Sequence, residues 1–530
     1  MTGYSRCQAD IVAGRLSGVR IKGLSYFLGI PFAEPPIGRL RFASPVTVRP
    51  WKGSRDAVIR GAAPPQVVAG VGSWIYPQPP SMSEDCLYLD IVTPSTEGTR
   101  PVLLWLFGGA FSTGSSSMPV FDGTKLAEDG DLVVVVPNYR LGILGFAGHQ
   151  ALQDQATGAQ ANWGVQDQML ALEWVHKNIT AFGGDPCRIT VAGQSSGAIS
   201  AILLAQHQAT AQLVSQLALF SVPYVAPPDV AVLEDLSVYV SDLAGHFKTT
   251  VEGLRDISAS DLTYGESAFF SNYKVKTATG RFRRWPTLDN LFVESWPGSC
   301  SLGGKPILTG NTATESSFLL KLYDVLEQRL LTPPLPIRHS EMRKRLERLL
   351  AARNLDGRVV CPQSVDDVLS SFDALELSGA DHERMEEAFI SLNSDLSYRH
   401  PTWRIALKAA CEGNSNVYMY NFDLPLTPPA WGSPHNSDLP FWFGTHDLPF
   451  YSGKLGVGQF RDQVSETMRQ SLVRFVRTGR PGAGEVPLWP EIRCCEDPEI
   501  VLLGRVGTVS AVGTLGDRAM LSRLDPFYLL

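Results

Sequence analysis

No stretch of about 18 residues in this chain is both strongly apolar and uncharged, so the sequence offers no membrane-spanning helix. Lys and Arg never gather into a basic run, and a formal net charge of -7 is small for 530 residues. Nucleic-acid binding is therefore not expected. The opening residues, MTGYSRCQAD, lack the apolar segment of a secretory signal. The 8 cysteines are scattered, and the one adjacent pair, Cys494 and Cys495, does not make a CxxC metal pattern. That usage reads as free thiols in a reducing compartment, so the expected location is cytoplasmic. No internal repeat or low-complexity linker divides the chain. Proline clusters at 77–80, 333–336 and 425–429 mark loops, and residues 1–530 read as a single domain with long inserted excursions.

At 44% hydrophobic residues the chain can bury a large core. Its first segment, ADIVAGRLSGV followed by LSYFLGIPFA, alternates apolar and small residues between glycines, the pattern of short antiparallel strands. RPVLLWLFGG, DLVVVVPNYR and RITVAGQSSG each carry a short, nearly unbroken apolar run ending in a turn. Strands covered on both faces have this composition, because neither face meets water. KPILTGN and NVYMYNF repeat the pattern, and between such runs lie helical stretches such as VQDQMLALEWVHKNI. Alternating strand and helix predicts an α/β fold built on a large, mostly parallel central sheet flanked by helices. HSEMRKRLERLLAAR and ERMEEAFISL have the spacing of amphipathic helices with solvated charged faces.

Gly193-Gln194-Ser195-Ser196-Gly197 is a G-x-S-x-G sequence. Alone it is weak, since about 0.3 such matches are expected by chance in a chain this rich in glycine. Its setting gives it weight: it follows the apolar strand RITVA and precedes AISAILLA, a run that can start a helix. A sharp strand-to-helix turn lifts a serine hydroxyl above a sheet, beside the positive end of the helix dipole. Such a hydroxyl needs a neighbouring base to take its proton and donors aimed at the developing oxyanion. Phe107-Gly108-Gly109-Ala110, after the strand VLLWL, offers small residues with open backbone N–H groups. Gly109, Ala110 and Ser196 are thus the candidate oxyanion donors. Each of the 9 histidines is open as the base at this point.

In FLGIPFAEPPIGRLRF, SEDCLYLDI, VLLWLFGGAFSTGS, VVVPNYRLGILGF, NWGVQDQMLALEWVHKNITAFGGDPCRITVAGQSSGA, ILTGNTATESSFL and PHNSDLPFWFG, taken in order, the chain resembles the type-B carboxylesterase and cholinesterase-like family of α/β-hydrolases. These segments cover the first 200 residues almost continuously and recur to the end. The resemblance implies a serine carboxylester hydrolase acting on a neutral ester or lactone, with no metal and no organic cofactor. It implies a triad of Ser195, Glu315 and His435, with His446 the nearest rival for the base. Chain order Ser, Glu, His is the order expected of this fold. Histidine titrates nearest neutral pH and can shuttle the proton, while the acid fixes its tautomer and stabilises the imidazolium.

The resemblance also implies two buried ion pairs, Arg39 with Glu84 and Arg140 with Asp167, as structural supports. The chain departs from the family where the residue before the nucleophile is Gln194 rather than Glu, and where Phe107 replaces the usual His or Tyr. Thr314 and Ser316 flank the acid in place of the usual Asp and Gly. Cys86 matches a disulfide cysteine of the family whose partner region here, GAAPPQ, has none. Trp74 and Tyr76 on that loop, with Gln194, Phe111 and Phe318, are candidates to line the substrate pocket. The same triad could instead serve acyl transfer or lactone formation, and a binding module that has lost catalysis is the remaining alternative. The expected partner is a small-molecule ester, and oligomeric state is left open.

Overall fold

The structure is a computed structural model and describes residues 4–67, 75–223, 233–273, 285–297, 299–317, 340, 343, 370, 382–427, 432–482, 489–494, 498–505 and 508–514. Of the expected helix HSEMRKRLERLLAAR only Ser340 and Arg343 are among them, and Trp74 and Phe318 lie outside. Residues divide into two compact units: 1–68, 72–218 and 229–302 form the first, and 69–71, 219–228 and 303–530 the second.

The first unit opens with the antiparallel strands β1 (Tyr4–Ile11), β2 (Gly14–Ile21) and β3 (Leu24–Pro31). A short β4 (Ser54–Asp56) joins β2 in parallel. Beyond β3 come β5 (Tyr88–Thr93), β6 (Arg100–Leu106), β7 (Val133–Pro137) and β8 (Gly184–Gln194). They are ordered β3-β5-β7-β6-β8, and β6 lies parallel to both β7 and β8. From Pro101 to Leu106 and through all of β7 every residue is buried, as the unbroken apolar runs predicted. The helix Trp163–Asn178 matches the expected stretch and buries Met169, Leu172 and Val175. A satellite core forms where Ile143, Leu144 and Trp163 meet Leu236, Tyr239 and Leu243.

Arg140 and Asp167 form the expected buried pair, with Nε to Oδ2 at 2.8 Å and Nη2 to Oδ1 at 2.7 Å. The other pair differs from expectation. Arg41, not Arg39, holds Glu84, through Nε to Oε1 at 2.7 Å and Nη2 to Oε2 at 2.5 Å. The chain makes a 3-10 turn at Gly38–Leu40, which leaves Arg39 exposed and brings Arg41 inward, where it also donates to the Leu254 and Ile257 carbonyls. Both pairs are largely dry, so removing one partner would leave an uncompensated charge costing about 3–5 kcal/mol.

The chain enters the second unit within β9 (Gln216–Phe220). There β10 (Ile307–Thr312), β11 (Val417–Phe422) and β12 (Glu499–Leu503) run parallel, and β13 (Ser510–Thr514) turns back antiparallel along β12. Every residue of β10 and β11 is buried. The helix His400–Cys411 buries Trp403, Ile405, Ala406 and Leu407, and its last residue is joined by a disulfide to Cys494. This corrects the expectation of free thiols throughout. A separation of 83 residues gives no sequence signal for such a pairing. Cys7, Cys86, Cys187 and Cys300 are free.

Candidate active site

In the first unit the chain leaves β8 at Gln194 and enters the helix Ser196–Gln206, with Ser195 between them. Ser195 has φ 55° and ψ -124°, a conformation that costs an L-residue about 1–3 kcal/mol and persists where surroundings impose it. Gly197 shows what imposes it: a Cβ there would stand 2.0 Å from the Leu106 carbonyl oxygen at the end of β6. The helix therefore packs so close to the sheet that only glycine fits. Ser195 is 8% exposed, and Gln194 and Ser196 are fully buried.

The loop after β6 lies beside this elbow. A Cβ on Gly108 would approach the Ser195 Cβ to 3.1 Å and the Gln194 Oε1 to 2.5 Å. Ala110 and Phe111 both take positive φ, 54° and 56°. The Phe111 N–H donates to Ser196 Oγ at 3.3 Å, pinning the loop to the start of the helix. Phe107 stacks on Tyr139 at 4.3 Å, and the Tyr139 hydroxyl donates to the Phe107 carbonyl at 2.5 Å. Phe111 packs against Phe146 and Trp285, and Tyr76 is buried against Phe121.

In the second unit Glu315 follows β10 and His435 precedes the short helix Leu439–Phe443; both are buried. Glu315 Oε2 lies 2.6 Å from His435 Nδ1. Its other oxygen accepts the Ser221 hydroxyl at 2.6 Å and the Thr312 N–H at 2.8 Å. Three acceptor contacts fix the carboxylate, and with Glu315 accepting, Nδ1 carries the proton and Nε2 keeps its lone pair. The His435 N–H also donates to the Glu315 carbonyl at 3.1 Å, so the two loops are joined by main chain as well. Thr314 Oγ1 accepts the Ser433 N–H at 2.7 Å.

His446, the rival base, is engaged elsewhere: its Nε2 lies 2.9 Å from Asp462 Oδ1 and its ring stacks on Phe441 at 5.0 Å. Asp438 accepts the Tyr420 hydroxyl at 2.6 Å and the Trp442 N–H at 3.3 Å on one oxygen. Burial pushes its carboxyl up to about 6. Sequence reasoning missed Ser221 and Tyr398. Ser221 sits one residue past a buried strand, and Tyr398 lies in a helical stretch with no motif, so neither carries a local signal.

A serine on a strained strand-to-helix elbow, beside a glycine-rich loop, and a buried histidine–glutamate pair are the parts of a serine hydrolase. The chain matches the carboxylesterase family model over residues 6–509 and belongs to that family. It is 31% identical to phenmedipham hydrolase of Pseudarthrobacter oxydans, covering 94% of this chain and 95% of the relative. It is 30% identical to para-nitrobenzyl esterase of Bacillus subtilis (strain 168), covering 90% and 91%. Acetylcholinesterase of Bungarus fasciatus is 31% identical, covering 88% of this chain and 77% of the relative. Among solved structures, a PNB esterase superposes with a TM-score of 0.76 at 27% identity, covering 99% of this chain and all of that one. The fold is thus the α/β-hydrolase fold, and the protein is a serine carboxylester hydrolase. Among the described residues no helix is long and apolar enough to cross a membrane.

Proposed function

We propose that the enzyme cleaves neutral carboxylic esters through an acyl-enzyme on Ser195, with His435 as base and Glu315 as its acid. His435 Nε2 takes the Ser195 proton as the hydroxyl attacks the ester carbonyl, then returns it to the departing alcohol. Water, activated by the same nitrogen, releases the acid. The N–H groups of Gly109, Ala110 and Ser196 hold the oxyanion, each worth about 3 kcal/mol. The observation that carries this reading is Ser195, held at φ 55° on the elbow between β8 and its helix. The family match over residues 6–509 supports reading 1–530 as one catalytic domain.

A fluorophosphonate ester tests the nucleophile directly. It is expected to label one serine, Ser195 by peptide mapping, with full loss of activity and no labelling of Ser195→Ala. Stoichiometric labelling at another serine would overturn the assignment.

We assign Gln194, Phe111 and Tyr76 to the substrate pocket. Gln194 is fully buried and neutral at a position where a carboxylate would attract cations. At about 5 Å and an effective dielectric of about 20, one such charge is worth roughly 3 kcal/mol. Aromatic faces return only about 1 kcal/mol each by cation–π contact. A choline ester is therefore expected to have no better kcat/KM than its uncharged isostere, and Gln194→Glu to move the ratio toward the cation. A tenfold preference of the unaltered enzyme for the cation would refute this. The disulfide between Cys411 and Cys494 removes the cysteine argument for a cytoplasmic location.

A further inference from the structure

Between the helices His382–Ser394 and His400–Cys411 the chain makes a π-helical turn, Asp395–Arg399. Such insertions re-aim side chains and are frequent at functional sites. Asp395 and Arg399 form a dry ion pair across it at 2.9 Å. The turn carries Tyr398, half-buried, whose ring stands over the His435 imidazole with centroids 4.4 Å apart and planes inclined by 34°.

The turn is also fastened to the loop of the acid. The Ser316 N–H donates to Ser394 Oγ at 3.0 Å, and the Ser316 hydroxyl donates to Asn393 Oδ1 at 3.1 Å. Ser397 Oγ reaches the same Asn393 oxygen at 2.9 Å. Ser316 is one of the two departures from the family's pattern around the acid. Here its hydroxyl ties Glu315's neighbour to the segment that leads to Tyr398. His435 is thus held at Nδ1, in its plane, by Glu315 and over its face by Tyr398, and those two supports are themselves joined.

We propose that Tyr398 is a positioning residue for the triad histidine, its ring fixing the imidazole plane and stabilising the imidazolium formed in each acyl-transfer step. This role rests on His435 being the base. An aromatic face attracts a cation that is absent before proton transfer and present after it, so the contact favours the transition state over bound substrate. Among the described residues of this unit, the titratable groups that meet or couple to His435 are Glu315 and Asp438, and Asp438 in turn accepts from Tyr420.

The test replaces Tyr398 in the full-length enzyme with Phe, with Leu, and by nonsense suppression with phenylalanines of increasing fluorination. Rates are referred to active sites counted by fluorophosphonate titration. Tyr398→Leu is expected to lower kcat about fivefold, the rate equivalent of one cation–π contact, with KM little changed. Its kcat/KM acid limb should move to lower pH by roughly 0.7 unit, because the protonated imidazole has lost a partner. Tyr398→Phe, which keeps the ring, should recover the rate to within twofold. The fluorinated series, which keeps ring shape while draining its face of charge, should fall progressively. It remains decisive should the leucine variant not fold. A flat fluorinated series, or a Phe variant as slow as Leu, overturns the proposal. Failure of the triad reading shows separately, as His435→Ala retaining turnover.

Discussion

Replacing His435 by alanine is expected to lower kcat/KM for a para-nitrobenzyl ester by about ten-thousandfold or more, while His446→Ala stays within threefold of the parent enzyme. Triad members act as a unit, so losing the base costs nearly as much as losing the whole constellation. His435 has Nδ1 committed to Glu315, an arrangement that leaves Nε2 to accept a proton. His446 instead uses Nε2 on Asp462 and lies flat on Phe441, so its removal affects packing. Its variant should melt at lower temperature yet turn over normally. Steady-state kinetics with thermal melts of both proteins checks the pair. His435→Ala retaining a tenth of the activity, or His446→Ala losing activity in parallel, would sink the assignment.

What the sequence disclosed of this site follows the range over which each feature is determined. The nucleophile elbow was legible because strand, turn and helix are contiguous, and the glycine that lets them approach lies two residues from Ser195. β6, β7 and β8 were legible because burial on both faces leaves an unbroken apolar run. Glu315 and His435 lie 120 residues apart, and family motifs, not local pattern, singled them out. The Glu84 partner was misread by two positions, since the 3-10 turn that reverses the orientation of Arg39 and Arg41 has no strong sequence mark. Ser221, Tyr398 and the Cys411–Cys494 bond are tertiary facts. Each depends on where a distant segment ends, which no periodicity records.

Glu315→Gln is the sharper test of the acid, because it changes charge and hydrogen count while keeping shape. The substituted amide can still place its oxygen where Oε1 accepts from Ser221 and the Thr312 N–H, so folding should survive. Its NH2 group then faces His435 Nδ1, which must accept instead of donate. That forces the proton onto Nε2, the nitrogen needed as base, and removes the charge that stabilises the imidazolium. The expected loss is about a thousandfold to ten-thousandfold in kcat, with KM little changed. Ser221→Ala removes one hydrogen bond to the carboxylate, worth about 1.5–3 kcal/mol, and should cost roughly ten- to a hundredfold at most. Asp438 supplies the contrast. It is fully buried and three residues from His435, but its hydrogen bonds go to Tyr420 and Trp442. Asp438→Asn should therefore retain far more activity than Glu315→Gln, and the reverse order would transfer the acid's role to Asp438.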